Sequence, residues 1–502
     1  MTAKSIMFQG TASDSGKSWM VAALCRYLAQ RGDKVVPFKS QNMALNSYIT
    51  ADGQEMGRAQ VFQAEASGIL PDVRMNPILL KPSTDSDSQV VVNGKVLGDM
   101  SAAQYQEFKP QLRGEVTDTY NSLANEYDDV ILEGAGSPAE INLNKRDFVN
   151  MGMADIADAP VILVADIDKG GVFASIYGTI KLLPKKHQNR IKGIIINKFR
   201  GDVSLLQNGN DMIEDLTGVP VLGVMPYSSV QIDDEDSVAL TRKNKVMDVS
   251  KDLDIVVVVL PKISNFTDFN SLAMHPDVSV RYATNANELG TPDLVIIPGS
   301  KNTNEDLAFL KETKFDTAIQ ALHSRGTFIF GVCGGYQILG KKLIDANEVE
   351  SDIEEQAGLG LLNTTTYYED TKTTTQSKAT IGDLKLDGYE IHMGRTVLDE
   401  GTQPLAHIYQ TNGNETDHMD GAVNDDKTVY GTYLHGIFDN PEWTRGYLNQ
   451  IRESKGLGPL KNIVGSLKDF KETQYDELAK IFTENVDVDR ILEIMDASEK
   501  VE

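Results

Sequence analysis

Two stretches of the 502-residue chain carry residue types spaced for chemistry. The first is Gly331-Val332-Cys333-Gly334-Gly335-Tyr336-Gln337. An apolar, β-prone run, Thr327-Phe328-Ile329-Phe330, leads into it, and a helical pattern from Tyr336 to Leu343 leads out. This spacing predicts Cys333 at a sharp strand-to-helix turn, its thiol at a helix N-terminus where the dipole and free N–H groups stabilise a thiolate. The Gly334 N–H is placed to bind an oxyanion, with the Gly299–Ser300 turn as a second donor. Far downstream, Gly431-Thr432-Tyr433-Leu434-His435-Gly436 offers His435 as a base at a strand end. A Cys at an elbow with a distant His reads as a nucleophile for acyl transfer. A buried, inert Cys is the competing reading, and the glycine frame and His435 argue against it.

The second stretch is Gly10-Thr11-Ala12-Ser13-Asp14-Ser15-Gly16-Lys17-Ser18, between the strand pattern Ser5-Ile6-Met7-Phe8-Gln9 and a helical pattern reaching Gln30. It resembles a Walker A loop with one extra residue between its glycines. Its backbone N–H groups would cradle phosphates, Lys17 would reach the terminal phosphates, and the Ser18 hydroxyl would bind Mg²⁺. Glu133 ends the apolar strand Asp129-Val130-Ile131-Leu132-Glu133 beside a glycine turn, the Walker B position for Mg²⁺ or its water. Asn197 ends another strand and is suited to read an adenine edge. The loop Lys39-Ser40-Gln41-Asn42-Met43-Ala44-Leu45-Asn46-Ser47, rich in amides and hydroxyls, follows a strand and is either a substrate reader or a polar surface loop.

These residues need scaffolds. Strands at 34–38, 129–133, 161–166, 193–198 and 220–226 alternate with helical patterns, and the chemistry sits at strand C-termini, as in an open, mainly parallel α/β sheet. That domain is expected over residues 1–230. Residues 231–252 are polar and aperiodic and read as a linker. A second α/β domain is expected over 253–455. It has strands at 254–260, 278–282, 293–297, 388–395 and 429–435, one helix from Asn304 to about Arg325, and weak patterns between Asp345 and Asp387. Residues 456–502 read as a helical, acidic extension packing on the second domain.

Composition bounds the function. The net charge is −25, which argues against a general nucleic-acid binder but leaves anionic small substrates open. No apolar run approaches membrane-spanning length. Two cysteines, Cys25 and Cys333, are too few for a disulfide framework or a thiolate cluster, and a strand pattern stands where a secretory leader would begin, so a reducing cytoplasm is expected.

An ATP·Mg²⁺ site and a thiol acyl-transfer site together suit one reaction: glutamine hydrolysis supplies ammonia, and ATP activates a carboxylate that ammonia attacks. At this point the chain resembles the cobyric acid synthase family of glutamine-hydrolysing enzymes over nearly its whole length. The resemblance rests on Gln9 to Asp14, Phe38 to Ser47, Glu55 to Gln60, Glu133 to Glu140, Asp166 to Phe173, Asn197 to Asp202 and Ile263 to Asp268. The Phe38 to Ser47 loop is the most specific part, and it favours the substrate-reader reading.

The resemblance implies an N-terminal dethiobiotin-synthetase-like P-loop domain and a C-terminal class I glutaminase-like domain. It implies amidation of the b, d, e and g carboxylates of adenosylcobyrinic acid a,c-diamide, with ATP, Mg²⁺ and glutamine consumed or required, and with cobalt only in the corrinoid substrate. On it, Gly10, Thr11, Asp14, Gly16, Lys17, Ser18 and Asn197 are expected to bind nucleotide. Ser18, Glu133 and Asp52 are expected at the metal, and Gln41, Asn42, Asn46, Ser47 and Lys81 at the substrate. Asp147 and Asp166 are expected as active-site acids beside Cys333, His435 and Gly334. Lys39, Arg58, Arg146 and Lys169 are further candidates to hold a polycarboxylate. Most class I glutaminases carry a Glu two residues after the catalytic His; here that position is Ile437, so the sequence leaves the group orienting His435 unassigned. The nearest rival is a cobyrinic acid a,c-diamide synthase, and a more distant one is a partitioning-type ATPase with an inert glutaminase-like appendage.

Overall fold

The computed structural model describes residues 3–84, 86–228, 230–233, 245–461 and 464–498. The first half is built on six parallel strands in the order 221–226, 191–199, 161–166, 4–10, 129–133, 35–38. The central strands are continuous apolar runs because helices cover both faces; every residue of Val161–Asp166 and Asp129–Glu133 is buried. Strand 4–10 is central, so the loop after it opens at the middle of the sheet's C-terminal edge, flanked by Glu133 and Asp166 on its two neighbours.

The second half repeats the principle with strands in the order 278–283, 253–258, 294–297, 328–332, 429–432, 422–423, parallel except for the last pair. The Cys333 strand is again internal. The strand ending next to His435 lies beside it, with Val332 opposite Thr432.

Three features differ from the expectations. The segment of weak pattern holds an 18-residue strand, Thr364–Ile381, paired antiparallel with Leu384–Leu398. Its threonine-rich, half-exposed surface lacks the apolar alternation that marks a strand in sequence. The single helix expected from Asn304 is two, Thr303–Glu312 and Phe315–His323, broken where Lys314 takes φ +66°. The acidic extension forms two helices, Leu467–Asn485 and Val488–Ser498, that pack on the first half, not the second. Tyr475, Leu478, Phe482, Ile491 and Met495 share a core with Ile6, Phe8, Met20 and Leu24, and Val486 bridges to Gly223 at the sheet edge. Half of the expected linker, residues 234–244, lies outside the described residues. No helix among the described residues is long and apolar enough to cross a membrane.

The chain therefore leaves the first half, builds the second and returns. The two tryptophans divide cleanly: Trp19 packs beside the C-terminal helices and Trp443 lies in the second core. Phe482→Ala, removing a fully buried ring, should destabilise the first half by about 3–5 kcal/mol. Urea unfolding followed by Trp19 fluorescence in a Trp443→Phe background should show the lowered midpoint, while Trp443 in a Trp19→Phe background should report little change.

Candidate active sites in the two halves

Cys333 ends its strand at φ +52°, ψ −110°, a conformation rare for a side chain with a Cβ and typical of a nucleophile elbow. The helix Gly334–Leu339 begins immediately after it. Gly335 is required there, since any Cβ would collide with the Ile297 carbonyl. A Cβ on Gly334 would stand 3.0 Å from the Ser300 amide nitrogen, so the Gly334 and Ser300 backbones meet beside Cys333. The resting thiol is 6% exposed and donates to the Ile391 carbonyl oxygen at 3.3 Å. Cys25, by contrast, lies wholly inside the first core, where burial pushes its thiol up to about 12 and leaves it inert.

His435 is fully buried. Its Nδ1 donates to Asp268 Oδ2 at 2.6 Å, and the other Asp268 oxygen accepts the Gly436 N–H at 3.3 Å. Asp268 is the orienting group that sequence reasoning missed. It lies inside the Ile263 to Asp268 motif, but 167 positions separate it from His435, and no local spacing links the two. Burial opposes charging the ring. The Asp268 carboxylate, by charge and hydrogen bond, and the nearby Cys333 outweigh it and push His435 up to about 10. Nε2 has no hydrogen-bond partner among the described residues, and Tyr389 stacks on the ring at 5.0 Å between centroids. A nucleophile and a strongly basic imidazole held by a buried carboxylate, with the Gly334 and Ser300 backbones close by, can carry out acyl transfer.

In the first half, Gly16 takes φ +96° and starts the helix Lys17–Arg31. Lys17 Nζ reaches the carbonyls of Ala12 and Gly136 at 3.2 and 3.3 Å, spanning the mouth of the loop. Ser18 Oγ donates to Glu133 Oε1 at 2.8 Å, so the two expected metal ligands are adjacent across 115 positions. Lys39 Nζ lies 2.9 Å from the same oxygen and Gln63 Nε2 2.5 Å from the other. A hydroxyl and a strand-end carboxylate are hard oxygen donors beside a phosphate loop, and they fit Mg²⁺. The Asn197 amide nitrogen donates to the Ser15 carbonyl at 2.9 Å and its oxygen accepts the Lys198 N–H, so this side chain braces the phosphate loop. Lys198 ties Asp14 to Asp166 at 3.2 and 3.1 Å, which puts Asp166 beside the loop.

Other expected residues lie elsewhere. The Asp147 carboxylate accepts the backbone N–H groups of Val149, Asn150 and Gly152, capping a short helix instead of facing a substrate. Asp52 is exposed on the turn joining strands Ser47–Ile49 and Glu55–Gly57, and this turn rests on the second half, where Thr374 Oγ1 donates to the Gly53 carbonyl at 2.9 Å. It does not join Ser18 and Glu133. Gln41 accepts from the Tyr105 hydroxyl at 2.6 Å, and Asn42 Nδ2 is 3.4 Å from Gln60 Oε1. Asn46 is buried, and its carbonyl accepts the Arg58 N–H. Ser47 and Lys81 face the seam between the halves: the Ser47 N–H donates to Asn265 Oδ1 at 3.0 Å, and Lys81 binds Glu55 at 2.6 Å. Arg58 is buried against Asp233, Arg146 donates to the Gln106 carbonyl, and Lys169 lies near Asp14 and Asp166.

The seam is itself part of the second site. Glu55 of the first half is shared by Lys81 and by Lys372 of the second, each at 2.6 Å. Burial works against the ionised carboxyl, yet the two ammonium groups hold Glu55 far below the usual carboxylate range. Lys81 and Gln89 then line the same cleft as Cys333, of about 470 Å³ with its open mouth.

Asp268→Asn should cut turnover at Cys333 by about 10²–10⁴-fold with little change in KM, measured as glutamate release. The same pair makes stability depend on pH. His435 gains protons on folding, so the contribution is complete below about pH 6.5 and fades as pH rises toward 10. The stability gap between the parent protein and Asp268→Asn should therefore shrink between pH 7 and 10 in denaturant titrations.

Comparison with known proteins matches this geometry. Residues 6–237 match the CobQ/CobB/MinD/ParA nucleotide binding domain, and residues 254–443 match the CobB/CobQ-like glutamine amidotransferase domain. A cobyric acid synthase of Limosilactobacillus reuteri is 62% identical over 500 residues, covering 100% of both chains. That of Streptococcus sanguinis is 57% identical over 99% of this chain and 100% of its own, and that of Listeria innocua 56% identical over 98% and 96%. A nucleotide-binding sheet domain joined to an elbow-cysteine amidotransferase domain, alike from end to end, places this chain in the cobyric acid synthase family.

Proposed function

We propose that this enzyme amidates the b, d, e and g side-chain carboxylates of adenosylcobyrinic acid a,c-diamide, using ATP and glutamine. The observation that carries the reading is the pairing of a complete Cys333–His435–Asp268 constellation with a phosphate loop whose Ser18 meets Glu133. The full-length likeness to cobyric acid synthases supports this substrate over cobyrinic acid itself.

At the second site, the proton shared by Cys333 and His435 rests on His435 Nε2 while sulfur attacks the glutamine amide carbon. The Gly334 and Ser300 amides stabilise the oxyanion. His435 returns the proton to the departing nitrogen, ammonia leaves, and water hydrolyses the thioester to glutamate. Asp268 holds Nδ1–H away from the sulfur, so Nε2 is the nitrogen that faces it and carries the exchanged proton. At the first site the loop amides and Lys17 hold the nucleotide phosphates. Ser18 and Glu133 would hold Mg²⁺, which would neutralise charge on those phosphates. The substrate carboxylate takes the γ-phosphoryl group and ADP leaves. Ammonia then adds to the acyl carbon, and inorganic phosphate departs. Each cycle exchanges one hydroxyl for one amino group.

Mass spectrometry of the corrinoid after incubation with enzyme, ATP, Mg²⁺ and glutamine should show four amidations. Cys333→Ala should lose them with glutamine and regain them with ammonium. An unreacted diamide with the parent enzyme, and amidated cobyrinic acid in its place, would move the enzyme one step earlier. Four amidations by Cys333→Ala with glutamine would remove Cys333 as the nucleophile.

A further inference from the structure

Glutamine is a zwitterion, and the Cys333 cleft is lined by charges of both signs. Three lysines line it, Lys81, Lys301 and Lys372, together with one carboxylate, Glu350. Lys81 and Lys372 are both matched by Glu55 at 2.6 Å. Lys301 is different: its ammonium has no hydrogen bond or ion pair among the described residues, although it is part-buried and burial lowers its pKa. Glu350 is not paired with any lysine within ion-pair distance among the described residues. One of its oxygens accepts the Thr303 N–H at 3.0 Å, which fixes the carboxylate on the cleft wall. Burial pushes Glu350 up to about 7, opposed by Lys301 and by a hydrogen bond to Tyr368. Unmatched charges in a part-buried cleft are costly unless a ligand completes them.

We infer that Lys301 binds the α-carboxylate and Glu350 the α-ammonium of the glutamine whose side-chain amide reaches Cys333. This rests on Cys333 being the glutaminase nucleophile. The two residues are specificity groups: they touch the end of the substrate that does not react. Lys301 follows Ser300, the proposed oxyanion donor, and Glu350 is bonded to Thr303 of the same segment, so one turn between strand 294–297 and helix 303–312 carries both oxyanion chemistry and substrate selection. An arriving carboxylate favours the charged form of Lys301, and an arriving ammonium favours ionised Glu350.

The test uses three amides: glutamine, glutaramic acid, which lacks the α-amino group, and 4-aminobutanamide, which lacks the α-carboxylate. Lys301→Met should raise KM for glutamine by about 10–100-fold with kcat within about threefold, the loss expected of one charged hydrogen bond. The same variant should leave kcat/KM for 4-aminobutanamide unchanged, because that amide has no group for Lys301 to bind. Glu350→Gln should weaken glutamine similarly and leave glutaramic acid unchanged. Amidation driven by ammonium should keep its parent rate in both variants, which shows that they fold and that the other site works. Equal losses across all three amides, or a fall in kcat alone, would overturn the assignment. Glutamine hydrolysis surviving intact in Cys333→Ala would instead overturn the reading of the site.

Discussion

The hydrogen bond between Asp268 and His435 joins segments 167 positions apart in a place where neither side chain meets solvent. A buried ionic pair is stable only when its remaining valences are met and its geometry is fixed. Here both conditions come from the surroundings. Gly436 N–H satisfies the second Asp268 oxygen, Tyr389 covers one face of the imidazole, and paired backbone bonds between Tyr389 and His435 lock the strand end in place. Asp268 itself rides on the short turn Phe266–Phe269, whose first flanking residue, Asn265, takes φ +53° and receives the Ser47 N–H from the other half. The proton-transfer geometry at Cys333 thus depends on contacts that reach across the whole molecule.

Both halves solve the same problem in the same way. Each places its reactive turn after an internal strand of a parallel sheet, where helix N-termini and loop amides converge. In the first half the turn is open and glycine-rich, and its neighbours are carboxylates on adjacent strands. In the second it is cramped, and Gly335 is needed because the Ile297 carbonyl occupies the space a side chain would take. The open turn suits a large polyanion, the cramped one a small amide whose oxygen must be met by two N–H groups. Lys39 and Gln63 converge with Ser18 on Glu133, so the loop, the second strand and the helix Arg58–Ala66 are tied to one carboxylate.

What the sequence made legible was what local chain geometry determines. The elbow at Cys333, the loop ending at Ser18 and the acid at Glu133 each follow from a strand, a glycine and a helix in immediate succession, and the structure shows each there. Parallel strands were legible as unbroken apolar runs. Asp268 was not, because an acid in a family motif does not announce which distant ring it touches. Asp52 and Asp147 show the converse: acids in promising loops whose side chains, once folded, face solvent or cap a helix. The strand Thr364–Ile381 was hidden by threonines, which pair well as strands yet leave no apolar stripe, while its partner was legible in part at 388–395. The C-terminal helices were legible as helices, but their apolar faces gave no hint that the complementary surface lay on the sheet and first helix of the other half.

The seam explains why the halves share one chain. The small hairpin of strands Ser47–Ile49 and Glu55–Gly57 sits against the long hairpin of the second half, with Lys372 and Lys81 closing on Glu55 from opposite sides. A carboxylate so buried needs both lysines, since losing either leaves a charge poorly matched in low dielectric. Nearby, Arg58 stands over Tyr48, Tyr48 packs on Tyr389, and Tyr389 stacks on His435. The loop that carries Asn46 and Ser47 is therefore the same stretch of chain that supports the His435 imidazole. Separating the halves would remove Lys81 and Gln89 from the wall of the Cys333 cleft, strip Tyr48 from Tyr389 and free Asn265, so the glutaminase site is complete only when the synthetase half is docked on it.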